Sequence, residues 1–222
     1  MKKKSKSKIS WTNHFIELLI VIIGVSIAFW LNNMANKSKE NQQEITYLTD
    51  IKNDLKKDSL KLAFAIRFNN VKSKKLEYAF QLIKEKAPID SVLIYVIEIG
   101  NYNFFSPDNF TLTSLLQSGD LTLIKSEEIK KEILRLVKIY ETIDFMQKNF
   151  LQALDENYFP MMLTKVDMVE FKALDPEFFY NIEIKNYCAF TLNETSQHIG
   201  TYKNAQSQVA RLTQLIDAEL GK

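Results

Sequence analysis

The residues of this chain that could do chemistry are few: two histidines, one cysteine and three aspartates spaced four apart. Metal centres built on histidine need several such ligands, so His14 and His198 alone exclude a His-rich site within one chain. His14 lies at the edge of an apolar run and reads as an interfacial polar residue. His198, in Ser196-Gln197-His198-Ile199, reads as a surface or capping histidine. Asp50, Asp54 and Asp58 form a carboxylate ribbon along one side of a helix, which could hold a cation or a basic partner. The plainer reading is a solvated face neutralised by Lys52, Lys56, Lys57 and Lys61.

Cys188 stands alone, so no internal disulfide forms, and its setting, Tyr187-Cys188-Ala189-Phe190, points to burial as a small hydrophobe. A bridge to another chain is the alternative. Glu127 and Glu128 come directly after Ser126 and suit the positive first turn of a helix better than an acid-base pair. No phosphate loop, CxxC pair, HExxH or GxSxG is present. The expectation is a protein that is not an enzyme and that holds no metal or cofactor.

The elements that must position these residues begin with a span. Phe15 to Leu31 contains twelve Leu, Ile, Phe or Val residues, worth roughly -4 to -7 kcal/mol on an insertion scale. Glu17 lies only two positions inside the run, where an acid reaches the headgroups. Trp11 and Trp30 are nineteen residues apart, about 28 Å along a helix, as expected of residues at the two interfaces. The run ends in bulky Phe29-Trp30-Leu31 rather than a small-x-small cleavage site, which favours an anchor over a signal peptide. Lys2, Lys3, Lys4, Lys6 and Lys8 precede it, against Lys37 and Lys39 shortly after, so the amino terminus is expected in the cytoplasm. Glu17, Val21, Gly24, Ala28 and Leu31 have coiled-coil spacing, and Gly24-x-x-x-Ala28 permits close approach of a second helix.

Beyond the span, five glycines and four prolines in the whole chain leave room for few turns, hence few and long elements. Residues 34–86 read as a long stalk helix, with Ile45, Leu48, Ile51, Leu55, Leu62 and Ile66 on one face. Residues 87–222 read as a helical bundle packed with the stalk. Within it residues 91–100 form a short apolar segment that fits helix or strand and reads as helix from its context; we expect a loop at 104–108, a helix over 111–118 stopped by Gly119, and a long helix from Ser126 ended by Pro160. The pattern is irregular from 161 to 190 apart from a short helix after Asp175-Pro176, and a final helix starts near Asn193. The predicted fold is all-α: a transmembrane helix at 15–33 behind a basic tail at 1–14, then the stalk and an extracytoplasmic bundle.

Glu17, Ile23-Gly24, Ile27-Ala28 and Asn32-Asn33 resemble the opening of a group of uncharacterised single-pass bacterial membrane proteins. Tyr47-Leu48-x-x-Ile51-Lys52-x-Asp54-Leu55-x-x-Asp58 and Leu115-Leu116-x-Ser118-Gly119-x-Leu121-x-Leu123-Ile124 are similar to two further signatures of that group. The resemblance implies the same topology and helical content, in the bacterial cytoplasmic (inner) membrane, with no activity attached.

Charge is nearly balanced, 29 basic residues against 27 acidic, which excludes nucleic acid as a partner. The lysine tail fits anionic lipid. The leading expectation is a component of the cell envelope that binds the bilayer and either another envelope protein or itself. A second is a small-ligand sensor with a pocket lined by Phe104, Phe105 or Phe110, and a third is a hydrolase with dispersed motifs.

Overall fold

The computed structural model describes residues 11–221; the lysine tail lies outside the described residues, as does the side chain of His14. Helix α1 runs from Trp11 to Lys84. It takes part in two compact units, one ending at Thr46 and the other Tyr47–Lys222.

In the first unit Trp11 and residues 15–46, buried Glu44 excepted, are exposed along the helix. This is the one helix among the described residues long and apolar enough to cross a membrane, and it lies near the amino end. Its apolar side chains have no protein to bury them, which is the condition a lipid environment relieves.

The second unit adds α2 (Ile89–Val96), α3 (Phe110–Ser118), α4 (Glu127–Ala153), α5 (Phe159–Lys165) and α6 (Ile182–Leu220), so the fold is all-α with one small hairpin. Strands β1 (Val166–Asp167) and β2 (Lys172–Ala173) pair antiparallel, with Val166 opposite Ala173. Two residues per strand are too few to show a period-two pattern, so this hairpin leaves no signal in the residue order.

Three long buried rows run through the core, and α2, α3 and the segments from Leu154 to Phe179 complete it. On α1 the row is Leu48, Ile51, Leu55, Asp58, Leu62, Ala65, Asn69, Lys72, Leu76, Ala79 and Ile83, alternating steps of three and four. On α4 it is Ile129, Ile133, Leu136, Tyr140, Ile143, Gln147 and Phe150, and on α6 Ile184, Cys188, Thr191, Thr195, His198, Tyr202, Ala205, Val209, Leu212 and Ile216. This 3.5-residue repeat is that of coiled coils, and it holds whether the residue is apolar or not. Each fully buried Leu or Ile contributes about 1.5–3 kcal/mol.

Local signals act as the sequence predicts at several ends. Ser126 Oγ accepts from Ile129 N, and Gly119 ends α3 at φ +79, which glycine adopts without strain. Two boundaries differ. The helical run does not stop at Pro160: a π turn over Leu154–Tyr158 widens the backbone and helix resumes to Lys165. A wide turn makes room for a ring that otherwise clashes with the preceding turn. The last helix begins at Ile182, where Asn181 Oδ1 accepts from Ile184 N, eleven residues before Asn193. Thr191, Thr195 and His198 hid its buried stripe from a search for apolar residues alone.

Candidate functional site

The buried residues fall into two apolar clusters, one around Leu55, Ile133 and Leu212, the other around Leu76, Phe150 and Ile184. Between them all three rows turn polar: Asn69 and Lys72 on α1, Gln147 on α4, Thr191, Thr195 and His198 on α6.

Lys72, Gln147 and His198 sit beside an irregular stretch, residues 101–109, that connects the short 3₁₀ turn Ile97–Gly100 to α3. Backbone groups of such a stretch have no ladder, so other groups must satisfy them. Lys72 Nζ donates to the carbonyls of Ile99 and Asn101. Gln147 Oε1 accepts from Phe105 N at 2.9 Å, and its Nε2 donates to Phe105 O at 3.1 Å. Tyr202 donates its hydroxyl to the same Gln147 oxygen at 2.7 Å. Asp58 Oδ1 accepts from Asp108 N at 2.7 Å, and Lys61 reaches Ser106 O and the Asp108 carboxylate. Buried Asp58, Lys72 and Gln147, with exposed Lys61, thus hold the loop against the bundle.

The carboxylate ribbon is not the solvated face expected of it. Asp58 is buried, accepting also from Tyr140 Oη, and burial raises its carboxyl above the ordinary range against the pull of those two hydrogen bonds. Asp54 accepts from Thr111 Oγ1 at 2.6 Å and pairs with Lys57, while Asp50 is exposed. Position 58 continues the buried row between Leu55 and Leu62, a signal that a search restricted to apolar residues misses. No group of acids, histidines and cysteine suited to a metal ion occurs among the described residues.

His198 is likewise neither surface nor cap. Only 3% of it is exposed; it stacks on Tyr202 at 5.8 Å and meets the edges of Phe150 and Phe104. Its Nε2 has no hydrogen-bond partner. Burial lowers its pKa, and the nearby Lys72 ammonium lowers it further. Lys72 itself lies over the Phe150 ring at 5.0 Å, and burial brings its amine down to about 8. Cys188 is buried as expected, its thiol pushed up to about 12, which suppresses the reactive thiolate. Glu128 pairs with Arg211, and buried Glu132 receives Arg135, Arg211 and Gln208; nothing in the local sequence singled out Glu132.

Over the polar layer opens a cleft of about 590 Å³ between the 101–109 loop, α3 and α4. Phe105, Tyr140 and Gln147 form its floor, and Glu141, Asp144 and Gln117 lie on its rim. Phe104 and Phe105 line it, whereas Phe110 is 84% exposed and does not.

In the first unit Glu17, Val21, Gly24, Ala28 and Leu31 are exposed, and helical spacing puts them on one face. A Cβ added at Gly24 would meet nothing within 4 Å. Trp11 and Trp30 are exposed on the same helix.

The second and third of the sequence signatures meet in space. Tyr47 donates to Asp120 Oδ2 at 2.6 Å, and Ser118 Oγ accepts from Asp120 N. The chain belongs to DUF6090, a family of unknown function, whose model matches residues 17–162. No curated protein and no solved structure matches it.

Proposed function

We propose, with that family membership as the premise, that the chain is a membrane-anchored binding protein of the bacterial cell envelope and not an enzyme. Residues 15–33 cross the inner membrane, the lysine tail stays in the cytoplasm, and the unit from Tyr47 onward faces the other side. The observation that carries this reading is the unburied apolar surface of α1 between Phe15 and Leu31 in a chain whose second unit is well packed around its own core. An exported body on such an anchor acts by contact, with another envelope protein or with a second copy. Supporting the absence of catalysis, three of the buried polar groups already serve the fold: Asp58, Lys72 and Gln147 each hold backbone of the loop or of the turn that leads into it. Crosslinking in native membranes followed by mass spectrometry tests the reading. A reproducible protein adduct is expected, and recovery of the bare monomer alone counts against it.

A second reading, a small-ligand sensor, is favoured by the cleft, whose size falls in the range of ligand pockets. A thermal shift screen of the full chain against envelope metabolites tests it, and a flat response removes it.

A further inference from the structure

The hairpin carries an apolar knob. Its four-residue tip, Met168-Val169-Glu170-Phe171, is held by Asp167, whose Oδ1 accepts from both Val169 N and Glu170 N. Phe171 sits at φ +51, a conformation that side chains with a Cβ rarely adopt. The strand pairing continues outward through Leu174 N to Lys165 O, so the tip is fixed at its base. Val169 is 95% exposed, and Phe171 and Leu174 are exposed beside it. Burial in this chain explains none of the three. The surroundings are acidic: between Leu163 and Glu183 five acids face two lysines, one of which, Lys165, pairs with Asp175.

The chain also carries a complementary surface. On the outer side of α1, Ala63, Ile66 and Val71 with Arg67, Asn70 and Lys74 line a groove of about 290 Å³. Among the described residues no other element lines it. From Ser59 to Lys75 there is no acid and there are five basic residues. Lys61 and Lys75 are taken by Asp108 and Glu98, and Lys72 is buried. Arg67 and Lys74 are the exposed pair, with no acid among the residues that line the groove.

We infer that the hairpin tip of one copy docks in the α1 groove of a second copy, Val169 and Phe171 on the apolar floor and Asp167 and Glu170 against Arg67 and Lys74. Such a contact joins two different patches, which two copies satisfy either reciprocally about a two-fold axis or head-to-tail, leaving a knob and a groove for further copies. Lipid is the poorer occupant of the knob, because its acidic surround repels the anionic headgroups that a basic segment seeks. This inference rests on the binding reading above and narrows it to one pair of surfaces.

The test uses the full chain in native membranes with benzoylphenylalanine at position 169 and a second, differently tagged copy. Photolysis is expected to join the two tags, with the attachment in peptide 60–78. Glu170→Lys and Arg67→Glu should each cut the yield by about fivefold, the equivalent of ~1 kcal/mol, and combining Glu170→Lys in one copy with Arg67→Glu in the other should restore it. Unchanged circular dichroism confirms that the variants fold. Attachment to lipid, to a different protein or to another region of the second copy overturns the inference, as does yield indifferent to both charge reversals. If position 169 is silent while the same probe at Gly24 or Leu60 captures protein, this contact fails and the binding reading stands; silence at all three removes both.

Discussion

The Tyr140 hydroxyl donates to Asp58 Oδ2 at 2.6 Å, joining α1 to α4 across 82 positions of sequence. Asp58 Oδ1 meanwhile accepts from Asp108 N, so one buried carboxyl ties two helices and a loop. The tie to Tyr140 is buried, where water cannot replace it, and the tie to the loop is half-buried.

Asp58→Leu leaves the Tyr140 hydroxyl and the Asp108 amide without an acceptor, at a cost of about 2–4 kcal/mol. Urea denaturation of the full chain in detergent measures it, and a midpoint indistinguishable from that of wild type refutes the tie. Burial holds the Asp58 carboxyl above its ordinary value. A raised folded pKa gives stability that is present below the unfolded value near 3.8 and is lost as pH rises through the folded one. The advantage of wild type over Asp58→Asn therefore shrinks as pH climbs from about 4.

The pKa of His198 shifts the other way, lowered first by burial and then by Lys72. Its neutral form is the one the core holds, so the stability it contributes is present above the unfolded value near 6.5 and is lost as pH falls through the folded one. Thermal melts at pH 7.5 and pH 5 should show a loss in wild type that is largely absent in His198→Phe. Equal losses in both proteins would exclude His198 as the source.

Lys72 behaves likewise at the alkaline end, with its amine brought from 10.5 to about 8. Stability is greatest above the unfolded value and falls as pH drops from 10.5 towards 8. Between those limits wild type should lose roughly 3 kcal/mol relative to Lys72→Met, read from paired denaturation curves. Parallel curves would mean that the ammonium is solvated.

Two glycines should respond to alanine for different reasons. At Gly119, φ is +79 with open space around it, so Gly119→Ala costs backbone strain alone, about 1–2 kcal/mol. At Gly100 a Cβ would lie 2.7 Å from Phe159 Cε1 and 2.9 Å from Tyr158 Cε1. Gly100→Ala therefore overpacks the core by about 1–3 kcal/mol, and the double variant Gly100→Ala with Phe159→Leu should recover part of it. Absence of recovery would point away from the ring contact.

Orientation has its own check. A reporter active only outside the cytoplasm, fused after Lys222, should be active in the full chain if the proposed topology, with the lysine tail inside, holds. A well-expressed but silent fusion reverses the topology.

Much of this protein was legible along one dimension. An uninterrupted apolar helix with basic residues before it is recognisable wherever it occurs, since each residue's transfer free energy adds independently of what it later touches. The helical character of the rest came from scarce Gly and Pro and from three-four spacing, and the caps at Ser126 and Gly119 from local chemistry. Tertiary structure decided what the polar residues on those same faces do. Asp58, Lys72, Gln147 and His198 occupy core positions of an unbroken 3.5-residue row, and a reading that tracks only apolar residues assigns them to solvent. The partners of Lys72 and Asp58 include backbone groups 27 to 50 residues away in sequence, and such partners exist only after the chain has closed on itself. A buried polar side chain is stable because of what faces it, and what faces it is not written in its neighbours.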